Sequence, residues 1–313
     1  MLAEAEALEH LRLATSVAGL DVEELVLPAE HDIVVDGMRL HYLDWGCKGP
    51  PLLFLHGGCL TAHSWDLVCL ALHHEYHCIA LDQRGHGDSE WSPTLDYGPE
   101  AHVRDIRGLV AKVALTMPVL VGQSMGGLNA VTYAAQAPNE LAGLVLVDVG
   151  TNIHWEGAQR IRDFVIDDPG PGPLEDFVAR AQAFNPRRDP RLLRLSLRHN
   201  LRRLPDGRLA WKYDRRPLTP ERFAAVKERL EELQVEAITC PVLVIRGAES
   251  DVFSAAQAAE FAATFPDGRW ATVEDAGHTA QGDNPRELAR ILRAFLEEIG
   301  YGQDQPGERN PVR

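Results

Sequence analysis

The residues best equipped for chemistry are Gly122-Gln123-Ser124-Met125-Gly126-Gly127. They directly follow the apolar run Val119-Leu120-Val121 and open a helical stretch, Leu128 to Gln136. This is the strand–turn–helix setting in which G-x-S-x-G presents a serine nucleophile. A strained turn pushes the serine Oγ outward, and residues without Cβ let neighbouring backbone pass close by. The helix start offers the Met125 N–H, with the positive end of the helix dipole, to a developing oxyanion. A serine hydroxyl needs a base near pH 7, so a histidine and an orienting carboxylate must lie further along. Among 13 histidines, His278 in Asp275-Ala276-Gly277-His278-Thr279 sits between the stretch Trp270 to Val273 and the helix Pro285 to Glu298. That places it on a loop at one end of a sheet. In the chain order of this motif the carboxylate comes between nucleophile and base. The run Val242 to Ile245 leads into Arg246-Gly247-Ala248-Glu249-Ser250-Asp251, which offers Asp251 and Glu249.

The elements that must position these groups are legible from hydrophobic patterning. Ile33-Val34-Val35, Asp36-Gly37 and Met38 to Leu43 read as a hairpin with a D-G turn. Short apolar runs then alternate with helical stretches: Leu52 to Leu55, Cys78 to Leu81, Val119 to Val121, Leu144 to Val147 and Val242 to Ile245. Strands this apolar are covered on both faces, as in a parallel sheet flanked by crossover helices, and such a sheet places its chemistry at the carboxyl ends of its strands. The uncharged stretch Val113 to Asn139 is broken by Pro118, Gly122, Gly126 and Gly127, so it reads as strand, turn and helix and not as a membrane span. The alternation stops between residues 152 and 235, where the chain is helical, Arg-rich and studded with prolines. The expected organisation is a helical extension over 1–30, an α/β core over 31–151 and 236–300, an inserted helical cap over 152–235, and a polar, disordered tail over 301–313. Within the extension, residues 3 to 26 read as one amphipathic helix with Leu8, Leu11, Leu13 and Leu20 as a partial stripe.

Four ordered motifs now carry a resemblance: His56-Gly57-Gly58, Asp82-Gln83-Arg84-Gly85-His86-Gly87-Asp88-Ser89, Gly122 to Gly127, and Gly277-His278. Over about residues 32 to 300 the chain resembles the cofactor-free, cap-containing α/β-hydrolases. The resemblance implies an α/β fold with a mostly parallel central sheet flanked by helices and a helical cap inserted after the sixth strand. It implies that Ser124, Asp251 and His278 carry catalysis, with Gly58 and Met125 as oxyanion-hole donors. Some relatives place the acid one strand earlier, which makes Asp148, after Leu144 to Val147, the alternative to Asp251. The implied reaction is hydrolysis of a small or medium carboxylic ester or lactone through an acyl-enzyme. The same triad serves C–C bond hydrolases, thioesterases, amidases and perhydrolases, and some proteins of this fold are ligand receptors. Ser124 speaks against the dehalogenases and epoxide hydrolases of this fold, which use an aspartate nucleophile.

Other features are assigned blander roles. His56 braces its loop, and Arg84 and Asp82 lock loops beneath the site. Asp82 to Ser89 lacks a third glycine and G-K-[ST], so it is no phosphate loop. His73-His74-Glu75-Tyr76-His77 is not H-E-x-x-H and reads as a solvated turn, so neither metal nor cofactor is expected. Cys59 has no neighbouring cation and reads as a small lining residue. The cap aromatics Trp155, Phe164, Phe177, Phe184, Trp211, Tyr213 and Phe223 divide between a core of the cap and a pocket lining. Trp65, Trp155 and Trp211 are the substrate-binding candidates, while the arginines from Arg194 to Arg203 form a solvated face. Composition excludes much. With 313 residues, 45% apolar and 25% charged, the chain can bury a large core. A net charge of −15 argues against nucleic-acid binding. Five cysteines without a C-x-x-C pair suggest reduced thiols in the cytoplasm, and the acidic N-terminus is unlike a secretory signal. Between residues 151 and 240, 17 Lys and Arg meet 14 Asp and Glu, whereas the remainder carries 14 against 32. A mildly basic cap thus sits on an acidic core.

Overall fold

The computed structural model of the chain describes residues 4–219 and 235–302. The hairpin forms as β1 (Ala29–Val35) and β2 (Met38–Asp44), joined by Asp36 and Gly37 at φ 48° and 83°. Two successive positive φ values mark the type I′ turn that D-G favours. β3 (Pro51–Leu55), β4 (His77–Leu81), β5 (Val119–Gln123), β6 (Gly143–Val147), β9 (Val242–Gly247) and β10 (Gly268–Val273) complete one eight-stranded sheet. Its order is β1-β2-β4-β3-β5-β6-β9-β10, parallel except where β2 meets β1 and β4. Strands β7 (Leu201–Arg203) and β8 (Leu209–Trp211) form a separate antiparallel pair inside the inserted segment.

The period of two in each strand divides the core into two layers. Leu53 and Leu55, Leu120, and Val242 and Val244 face one layer, completed by α3 (Pro99–Val113), α4 (Met125–Gln136) and α8 (Ala255–Ala262). Leu52 and Phe54, Val119 and Val121, and Leu243 and Ile245 face the other, completed by α2 (Asp66–Leu72) and α10 (Pro285–Glu298). Both faces are covered, as the unbroken apolar runs require.

Two expectations at the ends of the chain are corrected. The first helix, α1, spans Glu4–Ala18 and stops at Gly19, whose φ of +62° ends the turn, so the helix does not reach residue 26. Leu11 is buried but Leu13 is exposed, so the stripe is narrower than its leucines suggest. At the other end, Tyr301 is anchored and does not belong to a loose tail. Its hydroxyl donates to the carbonyls of Pro51 and Met117 at 2.9 Å, and its ring stacks on Tyr76. The rest of the expected tail, 303–313, lies outside the described residues, as does Phe223.

The loops at the carboxyl ends of β3 and β4 are tied together as expected. Asp82 accepts from His41 Nδ1 at 2.9 Å, from the Ala62 N–H at 2.7 Å and from the Asp88 N–H at 2.9 Å. Burial alone would raise its pKa, but these donors and the facing imidazoles hold the carboxyl well below the usual range. Arg84 makes a two-pronged contact with Asp105 of α3 at 2.6 and 2.8 Å, with both side chains almost wholly buried. His56 is fully buried, accepts from the Gln83 N–H at 3.0 Å on Nε2, and lies 2.8 Å from the Gly57 carbonyl through Nδ1.

Between β6 and β9 the chain forms α5 (Trp155–Ile166), α6 (Leu174–Phe184), α7 (Pro190–Asn200) and the β7–β8 pair. Val165, Phe177, Leu193, Leu197, Trp211 and Tyr213 give this insertion its own core. It meets α1 through Arg198, which pairs with Glu6, and meets loops that follow the sheet strands. Asp214 N–H donates to the Gly85 carbonyl after β4, and Asn185 to Asp283 after β10. Arg160 pairs with Asp251, Arg187 with Glu249, and Lys212 with Asp88. These basic side chains of the insertion are thereby engaged with acidic groups of the core. All five cysteines are free thiols, and no helix among the described residues is long and apolar enough to cross a membrane.

Two outcomes are expected. Arg84→Ala strands the buried Asp105 carboxylate and should lower unfolding free energy by about 3–5 kcal/mol, read by urea denaturation; Arg84→Ala with Asp105→Ala should recover part of the loss. Burial pushes His56 below its ordinary pKa of 6.5, and burial together with the neighbouring His56 takes His86 to about 3. Both therefore bind a proton on unfolding. Their contribution is complete above pH 6.5 and is lost as pH falls below it, so between pH 7.5 and pH 5.5 the urea midpoint of wild type should change more unfavourably than that of His86→Asn.

Candidate active site

Ser124 lies between β5 and α4 with φ 50° and ψ −116°, a conformation strained for any residue with a side chain. Neighbouring glycines make the turn possible. A Cβ on Gly122 would lie 2.4 Å from the Gly126 carbonyl oxygen, and one on Gly126 would lie 2.2 Å from the Leu55 oxygen. The second approach sets the start of α4 against the end of β3. Met125, the first residue of α4, thus sits beside the His56-Gly57-Gly58 loop. N–H groups in the first turn of a helix have no partner within it. Around Gly58 there is open space where a Cβ would point. The structure therefore sets Ser124 and Met125, at the start of α4, against the end of β3 and His56.

His278 enters from the loop between β10 and α9 (Ala280–Asp283). Gly247, at the end of β9, lets this loop lie directly on it, since a Cβ there would come 2.2 Å from the Gly277 oxygen. The carboxylate facing His278 is Asp148, not Asp251. His278 Nδ1 lies 2.7 Å from Asp148 Oδ2. Asp148 also accepts from the Ser250 hydroxyl at 2.6 Å and from the Gly247 N–H at 3.1 Å. Asp148 is the first residue after β6, has φ 52°, and is 1% exposed. The preference for Asp251 as the partner of His278 is thus corrected to the alternative, Asp148. The reason is loop geometry. Asp251 stands four residues beyond the end of β9, its backbone lies under Gly157 of α5, and its carboxylate pairs with Arg160 at 2.8 Å near the surface. Glu249 likewise turns outward, to Arg187 at 2.6 Å. Within the loop after β9, the residue that serves the site is Ser250.

Gln123 was passed over in the sequence as the variable position of the motif. Its side chain is buried, and its Nε2 lies 3.0 Å from the His278 carbonyl oxygen and 3.2 Å from the His278 ring Nε2. A carbonyl only accepts, so the NH₂ end of the amide faces it. That group then meets ring Nε2 as a donor, which makes Nε2 the acceptor and puts the ring proton on Nδ1, toward Asp148. This is the tautomer a general base facing a hydroxyl requires. The only legible signal was a hydrogen-bonding side chain next to the serine.

The flanking residues sort clearly. Cys59, with φ 65°, follows Gly58 and packs against the core of the insertion; burial pushes its thiol up to about 12, so it stays protonated and lines the region. Trp65 is wholly buried and packs on Phe54 in the core layer, a place that belongs to the core and not to a substrate surface. Trp155 is partly exposed at the start of α5. Trp211 packs edge-on against Phe177, and its Nε1 donates to Asp168 at 3.1 Å. It lines a cavity of about 220 Å³ with Trp91, Tyr213, Arg202 and Arg216, to which Ser124, Asp148 and His278 do not contribute. The three tryptophans named as substrate-binding candidates are therefore not gathered around one site.

Comparison with known proteins agrees with this architecture. A family model described as the alpha/beta hydrolase fold matches residues 50–285. The chain is 33% identical over 262 residues to the esterase Rv0045c of Mycobacterium tuberculosis, covering 82% of this chain and 85% of that protein. A crystal structure of that esterase superposes with a TM-score of 0.74 over 95% of this chain and 100% of that one, at 30% identity. The chain is also 29% identical to the 2-(acetamidomethylene)succinate hydrolase of Mesorhizobium japonicum, over 80% of this chain and 89% of that one. Motif order, sheet topology and these similarities converge: the chain belongs to the α/β-hydrolase family.

Proposed function

We propose that this chain is a serine hydrolase of small or medium carboxylic esters, in which Ser124 is the nucleophile, His278 the general base and acid, and Asp148 the orienting carboxylate. As an α/β-hydrolase with an esterase among its relatives, the chain is a hydrolase acting on ester bonds. The observation that carries the finer reading is the 2.7 Å contact from Asp148 to His278 Nδ1, on a ring whose Nε2 is an acceptor. Ser124 attacks the ester carbonyl carbon as its proton passes to His278 Nε2. The tetrahedral oxyanion forms against the N–H groups of Gly58 and Met125. Such preorganised donors lower the barrier by roughly 2.7–4 kcal/mol each. Collapse expels the alkoxide, which takes the proton from His278 and leaves an acyl group on Ser124. Water, deprotonated by His278, then attacks the acyl carbonyl, and the serine departs as the proton returns to it. Asp148 accepts no proton; it keeps Nδ1–H oriented and stabilises the imidazolium while that exists.

The charge of the insertion supports an uncharged substrate. Arg160, Arg187 and Lys212, which reach the core, are each paired with a carboxylate there, so these three charges are engaged in docking the insertion. Long-range steering needs unneutralised charge, and surface charges are screened beyond about 8 Å at physiological salt.

The roles are tested together. Wild type should hydrolyse p-nitrophenyl acetate or butyrate and be labelled by a fluorophosphonate probe, and Ser124→Ala should do neither. Asp148→Asn should cost about 10⁴-fold in kcat, whereas Asp251→Asn should stay within about twofold. The reverse ranking of the two aspartates would overturn the assignment of Asp148, and wild-type protein that takes no label would overturn the serine hydrolase itself. A matched pair of anionic and neutral esters should show the same salt dependence of kcat/KM; a markedly steeper fall for the anion would instead make the insertion an attractor of anionic substrates.

A further inference from the structure

Three side chains with metal-ligand chemistry meet at the seam between the insertion and the loop that follows the oxyanion residues. His63 lies in the single 3₁₀ turn Ala62–Trp65, Asp66 opens α2, and His199 lies in the last turn of α7, some 130 residues further along. One ligand atom from each falls within 4.8 Å of the other two. The His63 and His199 rings are 3.8 Å apart at their centroids, and His63 Nδ1 lies 3.0 Å from Asp66 Oδ2. We propose that His63, Asp66 and His199 form a binding site for a divalent transition-metal ion that clamps the insertion to the core.

The donor set fits that class of ion. Two imidazoles and one carboxylate suit zinc, copper, nickel or cobalt, whereas magnesium and calcium take oxygen ligands. Ligand atoms around a four-coordinate ion at about 2.0–2.1 Å stand roughly 3.3 Å apart, so small rotations about the side-chain bonds close the present triangle. Three protein ligands leave one position for water. Each of the three residues is part-exposed, which leaves a path for the ion. Unused capacity points the same way: Asp66 Oδ1 is buried without a hydrogen-bond partner, and among the described residues neither ring nitrogen of His199 has one. A second cluster, His41, Asp82 and Asp88, meets the same distance criterion and has His41 Nε2 unpartnered, but its central carboxylate is already taken up. There Asp82 already accepts from His41, Ala62 and Asp88. Beside the cluster the seam carries a 3.2 Å hydrogen bond from the Thr61 hydroxyl to the Asn200 side chain and the Lys212–Asp88 ion pair. An ion held by His63 and Asp66 on one side and His199 on the other adds a further link at this end of the insertion.

The site is tested by adding Co²⁺ to the full chain after treatment with a chelator. Wild type should bind one ion with the intense visible absorption of four-coordinate Co²⁺, and its unfolding temperature should rise with Co²⁺ concentration. His199→Gln and His63→Gln should each abolish that spectrum and the thermal shift, with unaltered circular dichroism. If either variant fails to fold, Asp66→Asn serves in its place with the same expectation. Wild type that binds no Co²⁺ at submillimolar concentration, or folded variants that bind it with wild-type affinity and spectrum, would overturn the proposal.

Discussion

Asp148 carries a negative charge at the carboxyl edge of the sheet with almost no exposure to water, and much of the site follows from how that charge is satisfied. A buried carboxylate is strongly destabilising unless it is hydrogen-bonded and faces a complementary group. Here the donors come from three directions: the Gly247 N–H from the end of β9, the Ser250 hydroxyl from the loop beyond it, and His278 from the loop after β10. Asp148 itself is fixed because its own N–H continues the β6–β9 pairing, donating to Ile245 at 2.7 Å. The same Gly247 that donates to Asp148 also carries the Gly277–His278 loop on its bare Cα. One glycine thus positions both Asp148 and His278. A side chain at that position would displace the imidazole and strand the carboxylate.

That arrangement explains what the sequence could and could not reveal. Ser124 was legible because its requirements are local: an apolar strand, small residues around a strained turn and a helix start, all within a dozen residues. His278 was legible from a glycine before it and a strand and helix on either side. The two-layer sheet was legible because strands covered on both faces lose their polar residues. The acid was not fixed, because Asp148 and Asp251 both follow apolar strands and both lie between Ser124 and His278 in the chain. What separates them is distance past the strand end. Asp148 is the first residue after β6, held at the sheet edge by its own backbone hydrogen bond, whereas the loop to Asp251 is long enough to carry it under α5. Gln123 was missed for a related reason, since its partner lies 155 residues away and no local pattern announces it.

Error at the chain ends has a different origin. Periodicity alone extended the first helix through Gly19, although a positive φ at glycine stops a helix whatever leucines follow. A polar composition likewise made the segment after Gly300 look loose, yet Tyr301 finds two backbone acceptors and a tyrosine face. Single anchoring contacts of this sort leave no trace in a composition window.

The insertion is joined to the core differently from the way the core is joined to itself. The two sheet layers are held by continuous apolar packing, whereas the seam over the site is made mostly of part-exposed ion pairs and hydrogen bonds. Pairs such as Arg160–Asp251 and Arg187–Glu249 contribute little individually, typically about 0–1 kcal/mol, because water screens them and long side chains must be ordered. Firmer ties lie to one side, where the Tyr97 hydroxyl donates to the buried Asp214 at 2.5 Å and the Asp214 N–H meets Gly85. The β7–β8 end of the insertion is therefore the better anchored, while the α5 and α6 ends rest on contacts that water can replace at small cost. Those weaker contacts fall on the loops after β9 and β10, next to Asp148 and His278. The molecule is thus joined in two ways: apolar alternation below the strand ends, exchangeable polar contacts above them.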